Sequence, residues 1–260
     1  MSYFSCLLVG PPGSGKSTAA STAPKPVLFL DVDNKLHKMA NMQEKLKSGE
    51  VIQWALDEPL VEVPLARLAN FTKDNLTTDG HMGKMVVPRP KGYIKLAEMI
   101  DKLVDSKCNI QHAGKPVKVE TVVLDSYTST SEHQKRLLCA VNQTSSMTLP
   151  LYGVALSNFE ALNDTLIKVV GRHANIIFIC HEKADKDELT GVITFKPLIE
   201  GQMAEKIGKD FEEVYYLEKK IQGEKVMYEM LTVGSSMKSC RTSRVLPARV
   251  PPNFEEIYGK

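Results

Sequence analysis

The chain has no CxxC pair, no apolar stretch approaching a membrane span, no internal repeat, no low-complexity run and almost no net charge. Each absence narrows what it can be. Its five cysteines, Cys6, Cys108, Cys139, Cys180 and Cys240, leave an odd one over, and Cys6 and Cys180 sit inside apolar runs. They read as small buried hydrophobes in a reduced cytoplasm. A spanning helix needs about 20 apolar residues, and no charged-then-apolar leader precedes the first strand, so a cytoplasmic protein with no membrane partner is expected. A formal charge of +2 argues by itself for neither nucleic acid nor an anionic membrane; any DNA contact must come from local loops. What remains is 260 residues, 43% of them hydrophobic, enough for one sizeable α/β domain over 1–260.

Against that background one motif stands out. Gly10, Pro11, Pro12, Gly13, Ser14, Gly15, Lys16 and Ser17, with Thr18 after them, satisfy the phosphate-loop pattern and follow the apolar run Cys6-Leu7-Leu8-Val9. Glycines allow consecutive backbone N–H groups to turn inward around phosphates, and the helix that follows presents the positive end of its dipole. Lys16 is expected to reach the β- and γ-phosphates and Ser17 to ligate Mg²⁺. ATP and Mg²⁺ are therefore the expected ligands. A Gly/Pro turn carrying a chance lysine would need neither the strand before it nor the small residues after it.

Further strands read as Val27-Leu28-Phe29-Leu30, ending in Asp31-Val32-Asp33; as Val117 to Leu124, ending in Asp125-Ser126; and as Ile176-Ile177-Phe178-Ile179-Cys180, ending at His181. Between them, helices are predicted over Thr128 to Val141, through Leu96, Met99, Ile100, Leu103 and Val104, and through Phe159, Leu162, Leu166, Val169 and Val170. The last two sets follow the i, i+3, i+4 spacing of one buried face. Alternating strands and helices with near-continuous apolar strands predict a mainly parallel sheet with helices on both faces. Residues from about 51 to 116 are less regular and read as an insertion, and Gln143 to Pro150 as a polar loop. After His181 the pattern predicts a β-rich C-terminal part, with a turn at Leu189-Thr190-Gly191-Val192 and strands at Val214 to Leu217 and Val226 to Leu231. A basic tail follows at about 235–260, with Lys238, Arg241, Arg244 and Arg249.

Ligands in such sheets collect at the strands' carboxyl ends. Asp125 is placed to hold Mg²⁺ through a water, although a strand-end Asp can also simply cap the next helix. Asp33 is a candidate to orient or deprotonate the attacking water, with Asp31 competing for the role. His181 is a candidate sensor of the γ-phosphate, set against the commoner structural use of a lone histidine.

These residues resemble a known family. Asp125 followed by Ser126 rather than Glu resembles the RecA-like core, and Phe29-Leu30-Asp31-Val32-Asp33-Asn34 is similar to the RecA segment whose acid activates water. With Gly10 to Thr18, Ile176 to Glu182, Pro197 to Gln202, Asp210 to Val214 and Cys240-Arg241-Thr242, most of the chain resembles the phage-type nucleotide-binding AAA domain family. That family includes the Sak-type single-strand annealing recombinases. The resemblance implies a RecA-like P-loop ATPase that acts on single-stranded DNA beside a single-strand-binding protein, in host cytoplasm if phage-encoded. Two departures stand out: Asp33 stands where RecA relatives usually carry Glu, and the 51–116 segment has no counterpart in the minimal core.

For DNA, the loop after His181 offers Lys183, Lys186 and Lys196 with Phe195, nearly cancelled by Glu182, Asp185, Asp187 and Glu188. Phosphate contacts with an aromatic platform suit sequence-neutral single-strand binding. Lys84, Arg89, Lys91, Tyr93 and Lys95 are a second candidate surface. In a homo-oligomer, Arg241 or Arg244 could reach a neighbour's γ-phosphate as an arginine finger. Two rival readings are a small P-loop kinase, against which stands the absence of clustered interior arginines, and a helicase-loading switch with little turnover. A GTPase is disfavoured, because Asn34-Lys35-Leu36-His37 lacks the Asp of a guanine-reading motif and sits too early.

Overall fold

The computed structural model describes residues 3–56, 91–142, 144, 146–199, 202–223 and 225–258. Among them the central sheet is built on β1 (Ser5–Gly10), whose six residues are all buried. Beside it lie β7 (Asn175–Lys186), then β6 (Thr121–Asp125), β2 (Val27–Asp31) and β3 (Val51–Ala55), all parallel. On the other side of β1, β9 (Glu213–Gln222) is parallel, while β10 (Lys225–Leu231) and β11 (Arg249–Val250) continue antiparallel. The expected mixed α/β fold with a mainly parallel sheet and a β-rich C-terminal part is present. One strand, β7, separates the phosphate-loop strand from the Asp125 strand.

Successive strand residues point to opposite faces, and the alternation sorts the core into two layers. Leu7, Val9, Leu28, Val122 and Phe178 face one layer, covered by α3 (Gly92–Ser106), α4 (Tyr127–Val141) and α5 (Leu149–Asp164). Cys6, Leu8, Phe29, Val123 and Ile177 face the other, covered by α1 (Lys16–Ala20), the stretch through Leu36 and Met42, α2 (Gln43–Ser48) and α7 (Phe254–Tyr258). Helix α4 starts where the Ser126 side chain accepts the Ser129 N–H, a capping hydroxyl at its expected position.

Several expectations change. The segment expected as an insertion begins and ends in the main body. Val51–Ala55 is a parallel strand of the sheet, outermost on its side among the described residues, Leu96, Ile100 and Leu103 of α3 are core residues, and a hairpin of β4 (Asn109–His112) and β5 (Lys115–Lys118) leads into β6. Residues 57–90 lie outside the described residues, and with them Lys84 and Arg89. Val169, expected on a buried face, is exposed, because residues Thr165–Val169 wind as a π turn; its i→i+5 pairing breaks the 3.6-residue period on which the expectation rested. The polar loop ends early, at Leu149, where α5 begins.

Downstream of His181 the chain does not become a loop. β7 runs on to Lys186 and pairs antiparallel with β8 (Ile193–Pro197) around the expected turn. A short helix α6 (Met203–Lys206) and a 3-10 turn then lead into β9.

Candidate nucleotide site

At the carboxyl end of β1 the chain turns sharply and enters α1 at Lys16. Gly10 is needed for space: a Cβ there would stand 2.6 Å from the Leu217 carbonyl oxygen of β9 and 2.9 Å from Ser14 Oγ. Gly15 is needed for conformation, with φ +86° at the entry to the helix, a region that side chains with a Cβ avoid. Lys16 folds back over this loop, and its ammonium donates to the carbonyls of Gly10 and Pro11, at 2.8 Å each. Burial pulls its pKa down to about 8 against the opposing pull of Asp125. Phosphate oxygens would offer that buried cation better acceptors than its own loop.

Ser17, one residue into the helix, donates through Oγ to Asp125 Oδ2 at 2.6 Å. Asp125 ends β6, level with Asp31 on β2 and Ile179 on β7, and the Asp125–Ser126 peptide is cis. Burial pushes its carboxyl up to about 6, opposed by the Ser17 hydrogen bond, with Asp31 and Asp33 adding to the rise. A hydroxyl and a carboxylate held together beside a phosphate cradle form a hard oxygen pair. They fit Mg²⁺, which takes one or two protein oxygens and completes its shell with phosphates and water. Ser17 and Asp125 would hold it.

The two acids of the second strand separate clearly. Asp31 is buried and its Oδ2 accepts three donors, the N–H groups of Lys35 and Leu36 and the Gln53 amide, at 2.7–2.9 Å. That carboxylate ties β2 to β3 and to the turn that follows. Asp33 is half-buried, with Lys35 Nζ at 3.6 Å. Its charge raises the pKa of both Asp125 and His181, which brings it into the same electrostatic site.

His181 lies opposite Gly10 in the β1–β7 register. Its backbone N–H donates to Thr128 Oγ1 at 3.0 Å, and its Nδ1 is buried without a hydrogen-bond partner. Burial, with Lys16 next, lowers its pKa, which favours the uncharged ring. Thr128, in the first turn of α4, escaped the sequence reading; its only signal was its position three residues after Asp125. Thr18, at the loop's end, accepts a hydrogen bond on its hydroxyl from the Asn41 amide.

Arg241 does not join this site within its own chain. Its backbone pairs with Val214, three residues before Leu217, and its Nη1 reaches the Lys209 carbonyl at 3.3 Å. Those three residues are about 10 Å of strand, running away from Gly10. Much of the basic tail is neutralised internally. Lys238 is buried against Glu182 (3.4 Å) and Glu218 (3.0 Å), over the rings of Phe195 and Tyr216. Arg249 bridges Glu218 and Glu229, and Arg244 stacks on Tyr258. Phe195 is thus a packed residue rather than a free platform for bases, and Lys196 is paired with Asp185 and Glu205. Of the second candidate surface, Tyr93 is half-buried, with its hydroxyl on the Asn158 carbonyl.

The family model described as "AAA domain" matches residues 2–245, a span that includes every element of the site. The chain belongs to the AAA domain family. No curated protein matches this AAA domain chain. Solved structures similar to it include the flagellar accessory protein FlaH from Methanocaldococcus jannaschii, at 11% identity, covering 88% of this chain and 76% of that one, with a TM-score of 0.41. The RadB recombinase is 13% identical over 88% and 79% of the two chains, with a TM-score of 0.43. A KaiC-like protein from Pyrococcus horikoshii is 13% identical over 96% and 87%, at 0.36. No helix among the described residues of this AAA domain protein is long and apolar enough to cross a membrane.

Proposed function

We propose that this AAA domain protein is a RecA-like, Mg²⁺-dependent ATPase working in DNA recombination or replication, probed most directly with single-stranded DNA. The observation that carries the reading is the 2.6 Å contact of Ser17 Oγ with Asp125 Oδ2 beside the buried Lys16 ammonium. Mg²⁺ bound there neutralises charge on the phosphates when present. Lys16 and the loop's N–H groups hold the β- and γ-phosphates in place. Asp33, free of the structural duties of Asp31, accepts a proton from the attacking water or fixes its direction. His181, opposite Gly10 in the sheet register, is the candidate to sense the γ-phosphate.

A second reading, an assembly switch with little turnover until subunits meet, draws on the position of Arg241. A finger so placed acts only on a neighbouring subunit, so hydrolysis would wait for oligomerisation. The DNA role rests on the resemblance of the sequence and on Lys183 and Lys186, since Phe195 and Lys196 are engaged internally.

The experiment is ATP turnover by the purified protein with and without single-stranded DNA, with Lys16→Ala as the blank. Turnover that DNA stimulates and the variant lacks is the expected result. Tight ATP binding with no turnover at any protein concentration would overturn the ATPase. Turnover indifferent to DNA would remove the DNA role. Arg241→Ala tests the finger: hydrolysis lost with ATP binding retained is expected, and an effect on binding alone would exclude it.

A further inference from the structure

The β9–β10 hairpin runs on past the end of β1, and its pairing sorts its residues by face. Leu217 opposite Met230, Lys219 opposite Tyr228 and Ile221 opposite Val226 share the face turned toward α1. Leu217 and Met230 are fully buried in the layer they share with Ala19 and Ala20. One step farther out, the face opens: Tyr228 is 42% exposed, Val226 46% and Ile221 71%. Tyr228 stands against the phosphate loop itself. Its Cδ1 lies 3.4 Å from where a Cβ on Gly15 would sit, with Cε1 and Cγ at 3.8 Å. From Tyr228 to Val226 the shelf extends two residues, about 7 Å. An aromatic ring and aliphatic side chains thus stay in water on a surface continuous with a phosphate cradle.

We infer that this face is the shelf for the base and ribose of the nucleotide whose phosphates the loop holds, with Tyr228 as the ring against which the base packs. The inference rests on the nucleotide-binding reading above and adds to it the part of the ligand that the phosphate loop does not touch. The occupant is set by continuity. A nucleotide anchored at Gly15 carries its base within one nucleotide's length of that glycine, and the shelf begins at the same residue. A ring face recognises any base by stacking rather than by its hydrogen-bonding edge. The contribution of Tyr228 is therefore common to adenine and guanine.

Calorimetric titration of the full chain with MgATP, MgGTP and inorganic tripolyphosphate tests this. Tyr228→Ala is expected to weaken ATP and GTP binding alike, by about tenfold, the range of base–aromatic stacking, while tripolyphosphate binding stays within about twofold. Tyr228→Phe is expected to keep ATP affinity. Ile221→Ser, at an exposed position away from Gly15, gives a second probe that does not disturb the loop. It should weaken ATP a few-fold and tripolyphosphate not at all. Equal losses for tripolyphosphate and ATP in Tyr228→Ala would mean that the ring only props the loop, and would overturn the shelf, as would unchanged ATP affinity in both Tyr228→Ala and Ile221→Ser. A wild-type chain that binds neither ATP nor tripolyphosphate would instead bring down the nucleotide reading itself.

Discussion

Ser17 Oγ and Asp125 Oδ2 lie 2.6 Å apart, joining the first turn of α1 to the end of β6 across 108 positions of sequence. The hydroxyl partly compensates a carboxylate that burial disfavours. Ser17→Ala removes that compensation and one oxygen of the pair together. It is expected to cost about 1–2 kcal/mol of stability and to weaken ATP binding at least tenfold in Mg²⁺, with little change when the metal is chelated. Thermal unfolding and titration with and without EDTA check both halves. An equal loss of affinity in EDTA would separate Ser17 from the metal.

Gly10 has no room for a methyl group. With the Leu217 carbonyl at 2.6 Å from the added carbon, Gly10→Ala must push β9 and β1 apart or distort the loop, at about 1–3 kcal/mol. Chemical denaturation should show the loss, and ATP affinity should fall with it, because the carbonyl of this same residue accepts from Lys16. A variant as stable as the wild type would refute the crowding.

Asp31 and Asp33 should fail in different ways. Asp31→Ala leaves two backbone N–H groups and the Gln53 amide without their acceptor, and about 2–3 kcal/mol of stability should go with them. Asp33→Ala should leave stability within about 0.5 kcal/mol and cut ATP turnover by about 100-fold or more. Paired measurements of stability and turnover on both variants decide the assignment, and a reversed pattern would exchange the two roles.

Acid should loosen the β9–β10 hairpin before the core. Burial alone would raise the Glu218 pKa, but hydrogen bonds from Arg249 and Lys238 outweigh it and hold the carboxyl below its ordinary 4.5. A carboxylate lowered in this way adds stability above its unfolded value and loses it as pH falls through its folded value. Glu218→Gln should therefore be less stable than the wild type by about 1 kcal/mol near neutral pH, with the gap closing below pH about 4.5. Urea unfolding across that range measures it. A gap that persists in acid would mean that packing, not charge, holds this position.

Much of the site was legible in the sequence because its groups lie where local rules place them. The phosphate loop is contiguous, and a strand followed by glycines and a helix start is a short-range pattern. Asp125 and His181 are legible as candidates because apolar runs end at them, and the fold places one against Ser17 and the other opposite Gly10. Asp31 and Asp33 were indistinguishable, since both end the same strand; only the arrival of Gln53 from β3 and the turn at Leu36 assigns one of them to structure. Phe195 and Lys196 read as a DNA surface because charge and aromaticity can be read locally; Asp185 was visible in the same stretch as a cancelling charge, but Lys238 over the Phe195 ring and Glu205 beside Lys196 come from other segments. Tyr228 carried no signal at all, for its meaning lies in touching a glycine 213 positions earlier.

By itself, then, the sequence determined the phosphate loop, the alternation of buried strands and helices, and the acids and histidine at the strand ends, all set by steric and hydrophobic rules acting over a few residues. The tertiary structure decided that Asp31 is tied up in hydrogen bonds, that residues 51–55 belong to the sheet, that Arg241 reaches the Lys209 carbonyl rather than its own phosphate loop, and that a tyrosine distant in sequence flanks the loop. Those outcomes depend on strand order and on which charges meet. Both are fixed by long-range pairing, for which single residues carry no local energetic preference.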